Sequence, residues 1–397
     1  MPKPESAQDP LVGAQARRML VFLIILTAAS QIGMQGWITL FNNFAVERAG
    51  FGGFEVGLVQ SVREIPGFLS LLVVYVLLVL PEHRVAALSI IALGVGVGLT
   101  GLFPSFWGLT LTTLIMSFGF HYYETVNMSL TLQYFDRSQA PLVFGRLRSV
   151  TGLTNIAVGL TVLLAARGVD FAGIYGMLGC VVALAGLWAL TRDPSHAGAP
   201  VQRKKMVLRR KYTLYYILTF LAGSRRQVFL AFSIFLLVQK FSMSLTEITG
   251  LFILNNAINV VANPLIGRAI NRFGERALLT FEYVVVTVVC VAYAFSDSKL
   301  LVCSLYVLDQ LVINFAMCIT TYFQKIGDPA DISPTMAAGF TINHIAAVVV
   351  PVLGGALWLW SSKLVFLCGA GLALCSLLAT QFIRTAPQPQ EVNIAPS

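Results

Sequence analysis

Eight ionisable side chains stand inside stretches that are otherwise apolar: Arg63, Glu64, His121, Glu124, Arg225, Arg226, Asp309 and His344. A buried arginine keeps its charge and offers a planar fork that grips carboxylate or phosphate bidentately. A carboxyl or an imidazole can instead take up and release a proton. In a bilayer interior each ionised group costs at least about 2.5–3.5 kcal/mol on insertion scales, so it needs a partner or a wet cavity. Three arginines against the central acids Glu64, Glu124 and Asp309 predict an anionic or zwitterionic ligand held by Arg226, Arg63 and Arg225. Glu124, His121, Asp309 and Glu64 are the candidates for binding a driving proton.

Helical spacing sorts these residues by face. Thr219, Arg226 and Ser233 recur at intervals of seven, whereas Arg225 shares its face with Leu218, Leu221, Phe229 and Phe232, so Arg226 is the better cavity candidate. His121 precedes Glu124 by three residues, which puts both on one side of a helix, where they could form a protonation switch. Polar stripes run through Thr27, Gln31, Gln35 and Asn42, through Asn255, Asn259 and Asn263, and through Tyr306, Gln310, Asn314 and Cys318. Of these, Gln31, Gln35, Gln310 and Asn314 join Asn256 and Tyr123 as candidate ligand contacts. The competing role for any single amide is an interhelical hydrogen bond, worth about 0.6–2 kcal/mol. For Arg63 and Glu64 it is a buried ion pair with no ligand. Glu282 is expected to reach cytoplasmic arginines.

The elements that carry these residues must be membrane helices. Of the 397 residues 57% are hydrophobic and only 11% charged, with mean hydropathy +0.78, too few charges to cover the surface of a water-soluble protein. The net charge of +9 sits in short connections and acts as an orientation signal, so nucleic acid is not an expected partner. About 20 apolar residues cross a bilayer as helix, and such runs fall near 19–45, 54–80, 84–104, 107–135, 146–167, 170–191, 212–238, 246–268, 277–296, 299–325, 335–360 and 364–384. The expected class is an all-α integral membrane protein of twelve transmembrane helices in two six-helix bundles. A polar segment 1–18 precedes a bundle at 19–192, a basic middle loop occupies 193–211, a second bundle spans 212–384, and a tail follows at 385–397.

With both termini inside, cytoplasmic segments hold 19 of the 27 basic residues and outer loops only Arg48, Arg167, Lys240, Lys299 and Lys363. The first apolar run is too long for a cleaved signal peptide. The sole glycosylation sequon, Asn127-Met128-Ser129, lies in mid-span, which favours a bacterial inner membrane. All six cysteines lie in apolar stretches and read as small buried hydrophobes. Before the second span Glu55-Val56-Gly57-Leu58 matches Glu247-Ile248-Thr249-Gly250-Leu251 with one gap, a trace of duplication that aligns Arg63 near Asn255-Asn256.

Between spans eight and nine, Gly267-Arg268-Ala269-Ile270-Asn271-Arg272-Phe273-Gly274-Glu275-Arg276 resembles the cytoplasmic-loop signature of the major facilitator superfamily, G-x-x-x-D-R-x-G-R-[RK]. Gly267, Arg272, Gly274 and Arg276 match. Asn271 stands where aspartate is usual, and Glu275 where a basic residue is common. Between spans two and three the copy is reduced to Pro81-Glu82-His83-Arg84. Pro351-Val352-Leu353-Gly354-Gly355 in span eleven looks like part of an element that antiporters of the family carry in span five, where this chain lacks it. The resemblance implies spans one, four, seven and ten around a central cavity. It also implies a gating loop in which Gly267 and Gly274 allow a tight turn and arginines latch against helix C-termini.

No catalytic motif, Gly-rich phosphate loop or histidine–carboxylate set with metal spacing occurs, so neither an enzyme nor a cofactor or metal site is expected. The resulting expectation is a monomeric secondary active transporter that moves a small organic anion or zwitterion by alternating access, with protons as coupling ion and lipid as its surroundings. The rival readings are an exporter of amphipathic or cationic compounds using Glu64, Glu124 and Asp309, and a non-transporting sensor or assembly factor of the same fold.

Overall fold

The computed structural model describes residues 10–51, 53–195, 202, 205–241, 243 and 245–384. Lys3, Arg203, Lys204 and the tail at 385–397 lie outside the described residues. Among the described residues the regular structure is helical throughout. A first half comprises α1 (Pro10–Glu47), α2 (Gly53–Phe68) continued through a 3₁₀ turn into α3 (Val73–Val76), α4 (Glu82–Thr100), α5 (Phe106–Tyr134), α6 (Gln139–Ala165) and α7 (Phe171–Leu190). A second half comprises α8 (Thr213–Phe241), α9 (Leu245–Phe295), α10 (Lys299–Val312) continued into α11 (Met317–Ile326), α12 (Ile332–Trp360) and α13 (Ser362–Thr380). The first helix begins at Pro10, inside the segment expected to be polar and non-spanning.

Local chemistry sets several boundaries. Ser105, Asp170 and Ser298 cap α5, α7 and α10 by accepting from the backbone N–H groups of Gly108, Gly173 and Leu301. Pro66 removes a donor from α2, and the helix tightens into its 3₁₀ turn at Leu69–Leu72. Gly274 adopts φ 76°, ψ 163°, which breaks α9 into two stretches of helix; a glycine tolerates this angle because it has no Cβ. Apolar side chains such as Val79, Trp107, Leu300 and Trp360 point outward, as a lipid-facing surface requires. Cys290 and Cys318 are buried as expected, but Cys180, Cys368 and Cys375 are exposed on the helix exteriors, where a thiol is apolar enough to face lipid.

Ten helical stretches among the described residues are long and apolar enough to cross a membrane, one of them running through both parts of α9. The 29-residue α5 is long enough but less apolar, because it carries His121, Tyr122, Tyr123, Glu124 and Asn127. Within the first half α4 packs on α5 and α7 at backbone distance: a Cβ on Gly94 would lie 2.5 Å from Ala183 N and 2.7 Å from Gly179 O.

The halves meet along α6 with α9, and along α12 with α2 and α5. Their hydrogen bonds include Ser149 Oγ to Val260 O (2.7 Å), Asn271 Nδ2 to Ser138 O (2.6 Å), and Gln324 Nε2 to Leu132 O (3.0 Å) and Phe135 O (2.8 Å). These lie in the depth of the bundle or at the end bearing the basic connections. At the opposite end no hydrogen bond joins the halves among the described residues, and Thr39, Asn42 and Asn43 of α1 are exposed.

Candidate functional site

Three helices bring one polar cluster together across the seam. On α2, Arg63 Nη2 and Nε donate to Glu64 Oε1 at 2.6 and 3.1 Å, and the guanidinium lies 5.7 Å from the Trp37 ring centroid. On α5, Ser117 Oγ donates to the Arg63 carbonyl, and His121 Nδ1 lies 2.9 Å from Ser117 O and Oγ. On α12, His344 Nδ1 lies 2.9 Å from Phe340 O, with the Phe340 ring stacked against the imidazole. The two imidazole centroids are 4.9 Å apart, and His344 Nε2 is 3.9 Å from Glu64 Oε2. Gly67 makes the room: a Cβ there would lie 2.8 Å from His121 Cδ2 and closer still to the His344 ring.

Adjacent arginines on α8 have opposite surroundings. Arg225 and Glu282 form an ion pair in which both side chains have no solvent exposure, with the Tyr283 ring centroid 5.6 Å from the guanidinium. Asp309, also fully buried, lies within electrostatic reach of that pair and accepts from Gln310 Nε2 at 3.3 Å. Arg226 is only partly buried. Among the described residues no carboxylate is within ion-pair distance of it, its Nε has no partner, and Glu64 is the acid within electrostatic reach.

Arg148, in the third turn of α6, is solvent-accessible and reaches the second half. It donates to Asn314 Oδ1 at 3.2 Å, and Asn314 in turn donates to Asn259 Oδ1 at 2.9 Å. Glu124 is within electrostatic reach of Arg148, again without an ion pair. Arg226 and Arg148 are thus within electrostatic reach of one another, neither with a carboxylate in ion-pair distance among the described residues, whereas Arg63 is paired.

Measured against the sequence expectations, the structure gathers some residues and separates others. Gln31 and Gln35 are partly buried on α1, with Gln35 Nε2 donating to Thr39 Oγ1. Tyr123 is fully enclosed, its hydroxyl 2.8 Å from Thr27 Oγ1, so it faces helix packing instead of the gap. Arg225 and Asp309 are likewise enclosed. Asn256 accepts from Asn155 Nδ2 at 3.4 Å and forms part of the α6–α9 seam. His121 and Glu124 do not work as a pair: the first turns to Glu64 and His344, the second to Arg148.

Glu282 meets Arg225, not cytoplasmic arginines. Arg148, which no motif or polar stripe singled out, and Asn259 join these residues only through tertiary contacts. So does the histidine–carboxylate set Glu64, His121 and His344, which sequence spacing did not suggest because its members lie on three helices.

The loop signature also acquires geometry. Gly274 makes the turn, but Gly267 does not: a Cβ there would lie 3.1 Å from the Pro141 carbonyl carbon, so it permits close approach of α9 to α6. Arg272 lies over the Phe273 ring, and Arg276 Nη2 donates to Gln381 Oε1 at 3.1 Å. Asn271 donates to Ser138 O across the seam, which an aspartate could not do, and Glu275 pairs with Lys325 at 2.8 Å.

Helices with apolar exteriors, long enough to cross a membrane, and charged groups between them make this a multi-pass membrane protein. The Major Facilitator Superfamily profile matches residues 19–333, and the chain belongs to that superfamily. No curated protein matches the sequence. Among solved structures it is similar to the Escherichia coli fucose:proton symporter FucP (TM-score 0.72, 12% identity, 92% of this chain and 98% of that one). It is similar also to the human organic anion transporter MFSD10 (TETRAN) (0.73, 13%, 92% and 99%). A third is a bacterial homologue of the iron transporter ferroportin in an outward-facing state (0.74, 14%, 91% and 98%). At these identities the likeness is one of fold.

Proposed function

We infer that the protein is a secondary active transporter for a small organic anion or zwitterion, coupled to protons. The observation that carries this reading is Arg226: an arginine at the gap with no carboxylate in ion-pair distance, on the helix face that the seven-residue spacing marked. An unpaired guanidinium in a protein interior is costly, and an anionic solute supplies the missing partner. Arg148 and Arg63 are the other cations on the gap, with Asn314 beside them. The printed names of two structural neighbours, an organic anion transporter and a proton symporter, agree with this class.

Glu124 facing Arg148 is the coupling group of choice. An anion arriving at the arginine withdraws its charge from the carboxylate and favours protonation, while a protonated Glu124 leaves the arginine free for the anion. Such reciprocity favours symport. Counting α5 and both parts of α9 as spans gives twelve, with both termini and the basic connections in the cytoplasm. With that orientation, the hydrogen bonds between the halves at the basic end favour reading the protein as outward-open. The membrane is taken to be a bacterial inner membrane and the unit a monomer.

The test is a thermal-shift screen of the purified protein against organic anions, repeated with Arg226→Ala. Loss of a charge-assisted contact is expected to weaken binding about a hundredfold, a few kcal/mol. Equal affinity in the variant would make Arg226 structural.

A further inference from the structure

We propose that Glu64, His121 and His344 form a binding site for one divalent transition-metal ion, of the kind that imidazole nitrogen favours, and that the bound metal ties the two halves of the transporter together. This goes beyond solute transport and does not depend on it. The three residues each offer one ligand atom, all within 4.8 Å of one another. Zinc ligands at about 2.0–2.2 Å from the ion stand roughly 3.4 Å apart, so closure requires movements of about an ångström, which the partly exposed Glu64 side chain can supply.

The outer hydrogen bonds already select the ligating tautomer. Ser117 spends its hydroxyl proton on the Arg63 carbonyl, so His121 Nδ1 must be the donor to Ser117, and its Nε2 carries the lone pair. His344 Nδ1 donates to Phe340 O in the same way, and its Nε2 faces Glu64 Oε2. An imidazole oriented through its far nitrogen by a carbonyl is the usual support of a metal-ligating histidine. Arg63 takes both of its contacts on Oε1 of Glu64, which leaves Oε2 for the ion. Gly67 keeps the space over both rings clear of any Cβ.

Two histidines and one carboxylate with an open side suit zinc, cobalt, iron or nickel, and do not suit magnesium or calcium, which need oxygen ligands. Arg226, within electrostatic reach of Glu64, disfavours a cation, so the site is expected to bind more weakly than a structural zinc centre. Two ligands come from the first half and one from the second, on α2, α5 and α12. Occupancy therefore resists any motion that parts α12 from α2 and α5.

The experiment uses full-length protein without a histidine tag, stripped with chelator and titrated with Zn2+, with bound metal counted by mass spectrometry. One zinc per chain is expected, together with a rise in melting temperature and no displacement by excess Mg2+ or Ca2+. His121→Ala and His344→Ala are each expected to weaken retention by more than the roughly hundredfold that loss of an outer-shell partner can cost. His83→Ala, outside the cluster, should change nothing. If a variant fails to fold, pulsed electron paramagnetic resonance of Cu2+ bound to the unmutated protein decides, since two coordinated imidazoles support the site and fewer overturn it. Absence of metal in the unmutated protein, or undiminished retention in both folded variants, would also overturn it.

Discussion

Successive residues on a helix point about 100° apart, and at Arg225 and Arg226 that angle separates a fully enclosed, paired charge from a partly buried one with no carboxylate in ion-pair distance among the described residues. Arg225 is committed to Glu282 without solvent, so removing either partner leaves the other charged and enclosed. Arg225→Leu or Glu282→Gln should each lower stability by about 3–5 kcal/mol, while the double variant Arg225→Met with Glu282→Leu should recover most of the loss. Unfolding in detergent measures this; a single variant as stable as the parent would refute the pairing. Tyr123→Phe removes the hydroxyl's contacts with Thr27 Oγ1 and the Leu23 carbonyl, and should cost about 1 kcal/mol with ligand affinity unchanged.

The face on which Arg226 lies was legible because periodicity alone assigns faces. The partners were not. Glu282, Arg148 and His344 lie tens to hundreds of residues from the groups they meet, and only packing of one helix on another brings them within reach. Tyr123 shows the converse error: an aromatic at the right depth says nothing about which way its hydroxyl turns.

At the scale of the element, the helices were visible in the sequence wherever apolar runs dominate, and even α5, whose polar residues lower its hydropathy, matches the run at 107–135 as Phe106–Tyr134. The loop after the first part of α9 shows how a signature can be right in position and altered in chemistry. Gly274 sits at φ 76°, where any L side chain is strained, so Gly274→Ala should cost about 1–2 kcal/mol, read from the unfolding midpoint. Asn271 bridges to Ser138 across the seam, and Asn271→Asp places acceptor against acceptor. Loss of about 1 kcal/mol there should shift the balance between open and closed forms roughly fivefold, seen as faster labelling of a cysteine introduced at Ser138. Unaltered labelling would remove the seam contact from the gating account.

At the scale of the molecule, the expected two-half division followed from one long basic connection, and the superfamily match runs through that connection over residues 19–333. Which stretches of α6, α9 and α12 touch could not be read from the sequence, since that depends on tertiary packing. The proposed anion–proton symport rests on Arg226 and Glu124, which lie on opposite halves of the molecule. The direct measurement is uptake of an organic anion identified by thermal shift into proteoliposomes carrying an inward pH gradient, with counterflow measured in parallel. The account predicts gradient-driven accumulation in the unmutated protein, loss of both activities in Arg226→Ala, and in Glu124→Gln loss of accumulation with counterflow retained. Accumulation unchanged in Glu124→Gln, or normal transport in Arg226→Ala, would contradict it.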